Sequence, residues 1–151
     1  MIILGAIIAT VAFIVLLLPQ PEPFLKITYP VDASSVSQNE AVSGVSKNIP
    51  TGQQIWVIVY AHEANMFYPI SSIDAQPNGN WSSAITIGEA NDSGYSFDII
   101  VALANQDAQN QINAYKIYAK NNYSTNDSYP GMSELPSGLV TYDRITVTRS
   151  K

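Results

Sequence analysis

Gln54-Ile55-Trp56-Val57-Ile58-Val59-Tyr60 decides the fold. Apolar side chains follow one another without alternation, so a strand built from this stretch is buried on both faces and belongs in the middle of a sheet. Tyr95–Ala104 (YSFDIIVALA) has the same character and predicts a second central strand. Between the two, Met66–Ala75 reads as a strand broken by Pro69, hence an edge. Pro77-Asn78-Gly79-Asn80 carries the Asn-Gly pair that a type I′ turn needs, so it predicts a hairpin joining that edge to Trp81–Ile87. His62–Asn65 and Gly88–Gly94 read as loops.

Upstream, Phe24–Tyr29 alternates as a first strand, Pro30–Ser35 reads as a turn, and Ala41–Ser46 as a second strand with a bulge at Gly44. Asn48–Gly52 closes that segment as a tight loop. Downstream, Asn105 is placed to cap a helix over Gln106–Ala119, whose stripe is Ala108, Ile112, Tyr115 and Ala119. Asn121–Gly138 is a polar loop, and Val140–Thr148 is a final alternating strand. The expectation is mainly β: an N-terminal hydrophobic helix followed by an antiparallel sandwich of about seven strands with one inserted helix.

The succession of short turn-separated strands over Phe24–Arg149, ending in the extended Thr146-Val147-Thr148-Arg149, resembles the immunoglobulin-like modules of prokaryotic surface proteins. The inserted helix departs from the plain form of that fold. The resemblance implies an exterior, non-catalytic domain over residues 24–151.

Residues 1–18 are a separate unit, uncharged from Ile2 to Leu18 with Thr10 the only polar side chain. As a helix, such a run spans about 25 Å, near the lower limit for crossing a bilayer. It lacks a preceding Lys or Arg and a small-x-small site, so the reading is a retained segment over a cleaved signal peptide. Two uses stay open: a transmembrane helix, or a packing helix in a filament core. The packing surface would comprise Ile2, Ile3, Leu4, Ile7, Ile8 and Val11, then Phe13, Ile14, Leu16, Leu17 and Leu18. Gly5-Ala6-Ile7-Ile8-Ala9-Thr10-Val11 resembles archaeal type IV pilin N-termini, with Gly5 standing where bacterial pilins usually carry glutamate. The resemblance implies a filament subunit; the other use implies an accessory subunit of a membrane complex. Residues 19–23, with proline at every other position, are a stiff spacer.

The 151 residues carry a formal net charge of −5 and no cysteine. That excludes disulfides and thiolate metal sites, and it disfavours nucleic acid, whose phosphates need a basic stripe. Asn-x-Ser acceptors begin at Asn80, Asn91, Asn122 and Asn126, and they suggest glycans on an extracytoplasmic surface. The single histidine, His62, has no Gly-x-Ser-x-Gly partner in the chain, so no catalytic residue is assigned. No cofactor or metal is assigned either; Asp74, Glu89, Asp92 and Asp98 are the carboxylates that loops could gather around calcium.

Trp56 is expected in the core. Phe67, Tyr68, Trp81, Tyr123 and Tyr129 are the candidate binding aromatics. Two functions are expected from this reading. One is a cell-surface structural protein assembling with itself, with other membrane subunits or in the bilayer through its N-terminal segment. The other is a tethered exterior module that binds glycan or a partner protein.

Overall fold

The computed structural model describes residues 19–126 and 129–151. Among them, eight strands and one helix form a two-layer sandwich. The strands are β1 (Phe24–Tyr29), β2 (Ser35–Val36), β3 (Asn39–Lys47), β4 (Gln54–Ala61), β5 (Met66–Ile73), β6 (Asn80–Thr86), β7 (Ser96–Ala104) and β8 (Leu139–Arg149), with α1 (Gln106–Asn126) between β7 and β8. One sheet has the order β1-β3-β6 and the other β2-β8-β7-β4-β5. With β1, β3 and β6 in the places of strands A, B and E, and β4, β5, β7 and β8 in those of C, C′, F and G, the order is immunoglobulin-like.

The expected fold class needs correcting in three respects. There are eight strands, because Ser35–Val36, read as part of a turn, is a short strand pairing with β8. That pairing is parallel, so the sandwich is not wholly antiparallel. The described helix lies inside the domain, and the expected N-terminal apolar helix is no part of the observed fold: Met1–Leu18 fall outside the described residues. No described helix is long and apolar enough to cross a membrane.

β4 and β7 are central, as their two-faced apolar sequences require, and they pair along their full lengths from Gln54↔Ala104 to Ala61↔Phe97. Their inward residues Ile55, Val57, Val59, Phe97, Ile99, Val101 and Leu103 meet Leu25, Ile27, Val42, Trp81 and Ile85 from the opposite sheet in the main core. Their outward residues Trp56, Ile58, Ile100, Ala102 and Ala104 form a second core with Ala108 and Ile112 of α1. This second core explains why both faces of β4 and β7 are apolar: one meets the other sheet, the second a helix. The helix starts where Asn105 Oδ1 accepts from Ala108 N at 3.0 Å, and it runs seven residues beyond Ala119, where the apolar stripe ends.

The Asn78-Gly79 segment is a turn but not the hairpin it predicts. β6 pairs with β3, not with β5, so the chain crosses between sheets here. Gly79 has φ 85°, whereas Asn78 is not among the positive-φ residues that a type I′ turn needs. Gly44 is not bulged either. The register shift lies in β1, between Ile27 and Tyr29, opposite Gly44 and Ser43. Gly44 instead faces Trp81 across the β3–β6 ladder.

Candidate functional site

β5 and β6 are edge strands of different sheets, joined by a hydrogen bond from Ser83 Oγ to Ser71 Oγ at 3.0 Å. Near this open side lies a cleft of about 790 Å³, within the range of small-molecule sites. Its floor is the end of the main core: Val59 and Ala61 of β4 and Phe97 of β7. Tyr68 and Ile70 of β5 form one wall. Thr86 and the β6–β7 loop, with Gly88, Glu89, Asp92 and Tyr95, form another. Glu63 and Ala64 of the β4–β5 loop, together with Tyr123 and Tyr129, complete the rim.

Local contacts place each wall. Asp92 Oδ2 accepts from Glu89 N at 2.7 Å, folding the β6–β7 loop so that both carboxylates line the cleft. Gly88 makes the entry to that loop, with φ 67°; a Cβ there would lie 2.6 Å from Asp92 Oδ2 and 2.7 Å from Phe97 Cζ. Tyr129 is delivered by the segment that follows α1. Tyr115 Oη donates to Pro130 O at 2.9 Å, and Phe67 and Met132 exchange backbone hydrogen bonds of 2.8 Å. Gly131 passes so close to β5 that a Cβ would lie 2.5 Å from that of Met66. The Tyr123 and Tyr129 rings then sit 5.7 Å apart at the mouth.

The cleft is aromatic and negative. Among the described residues, four tyrosines and three carboxylates line it, and no Lys, Arg or His does. The Tyr68 phenol registers this environment: burial raises it above the ordinary tyrosine range, and the Glu89 and Asp92 charges raise it further.

A second polar constellation lies on the outer face of the five-stranded sheet, where the cover of α1 ends. Asp98 is only 2% exposed. Its Oδ1 accepts from Thr146 Oγ1 at 2.7 Å and meets His62 Nε2 at 2.8 Å. A carboxylate only accepts, so His62 carries a proton on Nε2. Asp98 Oδ2 takes the Arg144 guanidinium through Nε and Nη2. Burial alone would raise the Asp98 carboxyl; the hydrogen bonds from His62, Thr146 and Arg144 and the Arg144 charge outweigh it and hold it below the usual carboxylate range. Arg144 also lies 5.1 Å from the Tyr60 ring, which stacks on Phe67 at 4.7 Å. The cluster therefore cross-links β4, β7 and β8.

Of the candidate binding aromatics, the cleft gathers Tyr68, Tyr123 and Tyr129. Phe67 belongs to the opposite face of β5, against Tyr60. Trp81 is a correction: it is 2% exposed and packed in the main core over Gly44, so it is not presented to a ligand. Trp56 is buried beneath α1, with Lys116 Nζ 5.5 Å from its ring. Of the glycan acceptors, Asn80 and Asn91 are exposed and Asn122 is part-buried; the side chain of Asn126 lies outside the described residues. The four carboxylates weighed for calcium do not converge. Asp98 is committed as above, and Asp74 accepts from Gln54 Nε2 at 3.2 Å. Among the described residues no group of three or more His, Cys, Asp or Glu is placed to hold a metal. The residues that sequence reasoning missed are the cleft floor and the Asp98 cluster. An aspartate inside the apolar run Phe97–Ala104 was the available sign of the second.

No family model matches the sequence, and no curated protein matches it. Among solved structures, a crystal structure of Dpr1 IG1 bound to DIP-eta IG1 is similar over 85% of this chain and 94% of that chain. The identity is 10% and the TM-score 0.32, values that transfer no function. The immunoglobulin-like description rests on the strand order itself.

Proposed function

We propose that this chain is a non-catalytic recognition module of the cell exterior that receives its ligand in the cleft between β5, β6 and the β6–β7 loop. One observation carries the reading: a concavity of about 790 Å³ runs from a tyrosine-lined mouth to the apolar floor of Val59, Ala61 and Phe97. Such a site desolvates a ligand over a large area while a few polar groups fix its orientation. The alternative of a hydrolase gains no support from the Asp98 cluster. Among the described residues the hydroxyl bonded there, Thr146 Oγ1, donates to the same carboxylate as His62 instead of facing the imidazole as a nucleophile. Exposure of Asn80 and Asn91 supports an exterior, glycan-bearing surface.

The test is a fragment titration of the full chain followed by methyl NMR. Shifts should cluster at Val59, Ala61 and Ile70. Shifts confined to the outer face, at Ile117 and Leu139, or the absence of any response in the cleft, overturn the reading.

A further inference from the structure

The cleft has a chemical bias that its shape alone does not explain. Its carboxylates, Glu63, Glu89 and Asp92, come from two separate loops that meet at one rim. The nearest lysines, Lys116 and Lys120, line a separate, shallower hollow of about 340 Å³ that shares Tyr123 and Tyr129 with the cleft, and Lys116 Nζ is held by Ile70 O at 3.3 Å and stands over Trp56 on the other face. Asp92 is engaged with Glu89 N, but its charge stays uncompensated, since the described ion pairs all belong to Asp98. Tyr68, half-buried, and Tyr95, Tyr123 and Tyr129, all exposed, line the same cleft as these carboxylates. Aromatic rings attract cations through their quadrupole, and they do so most strongly where water is excluded. Carboxylates at the entrance add attraction over a Debye length of about 8 Å at physiological salt.

We infer that the cleft binds a small organic cation, an ammonium carrying alkyl groups, whose charge sits among the tyrosines beneath Glu63 and Glu89. Methylated ammonium suits this site better than a metal ion. It needs no inner-sphere oxygens, and its methyl groups bury against Val59, Ala61 and Phe97. This inference rests on the cleft being the ligand site proposed above, and its test separates the two.

The probes are choline, its uncharged isostere 3,3-dimethylbutan-1-ol and methyl α-mannoside, each titrated into the full chain and followed at the cleft methyls. Choline should bind at least about tenfold more tightly than the alcohol, and more weakly as salt rises. The double variant E63Q/E89Q should bring choline down to the level of the alcohol, the alcohol being titrated against the same variant as the control for cleft shape; Glu89 also accepts from Tyr129 N at 3.5 Å, a contact that a glutamine oxygen can keep. Asp92 is left intact because it folds the loop. Equal binding of choline and the alcohol, or a preference for the mannoside, overturns the cation assignment and leaves the cleft as a binding site. Silence of all three probes, while other fragments shift the same methyls, also overturns it. Silence of every fragment removes both readings together.

Discussion

The indole ring of Trp81 occupies the space that any side chain at position 44 would need. The two residues are direct partners in the β3–β6 ladder, and a Cβ on Gly44 would overlap both the Trp81 ring and the backbone carbonyl of Lys26. A glycine in mid-strand normally weakens a sheet; here it lets a tryptophan lie flat in the main core.

Gly44→Ala should therefore destabilise by about 1–3 kcal/mol through overpacking, and Trp81→Ala by about 3–5 kcal/mol through cavity formation. Denaturant unfolding of both single variants and the double variant measures the coupling. In the Trp81→Ala background the alanine at 44 should cost less, though still something, because the Lys26 carbonyl remains. Strict additivity would show that the ring is not what excludes the side chain.

Asp98→Asn should lower stability at neutral pH by about 1–3 kcal/mol, since Arg144 and His62 lose a buried charged acceptor. The pH dependence follows from the direction of the shift. The folded carboxyl titrates below its unfolded value of about 3.9, so its stabilisation is complete above that value and disappears as pH falls through the folded one. Wild-type chain should accordingly lose stability on acidification below about pH 4 more steeply than Asp98→Asn. Parallel acid limbs in thermal melts from pH 2 to 7 would refute the assignment.

Asn105→Ala should cost about 0.5–2 kcal/mol by leaving the Ala108 N–H without its cap. The same site constrains Gly138. Its φ is 85°, its carbonyl accepts from Asn105 N at 3.0 Å, and a Cβ there would meet the Asn105 side chain. Gly138→Ala should therefore be destabilising even in the Asn105→Gly background, where only the backbone strain remains. Thermal melts of Asn105→Ala, Gly138→Ala, Asn105→Gly and the Asn105→Gly/Gly138→Ala double variant decide it.

Ile112→Ala should cost about 2–5 kcal/mol, because this residue is fully buried between α1 and the outer face of β4 and β7. Hydrogen exchange of α1 amides should accelerate more than that of β3 and β6, which sit on the far side of the molecule. Uniform acceleration would mean that α1 and the sheets unfold as one unit.

The sequence by itself determined which segments are central. Uninterrupted apolar runs in Gln54–Tyr60 and Tyr95–Ala104 demand cover on both faces, and Asn105 with the Ala108–Ile112 stripe specifies the start and buried side of a helix. These signals are local, being set by side-chain period and by groups a few residues apart. Partner choice between strands is not local. Asn78-Gly79 indicated a turn but not that β6 would leave β5 for β3, and Ser35–Val36 is too short to show a periodicity, becoming a strand only because β8 runs alongside it. Trp81 and Tyr68 look equivalent in the sequence, as aromatics near the starts of two neighbouring strand segments; one is sealed over Gly44 and the other lines the cleft. The cleft brings together the β4–β5 loop, β5, the β6–β7 loop and the end of α1. Its negative charge is likewise a product of tertiary structure, since Glu63 and Glu89, far apart in the chain, share a rim only after the two sheets have packed.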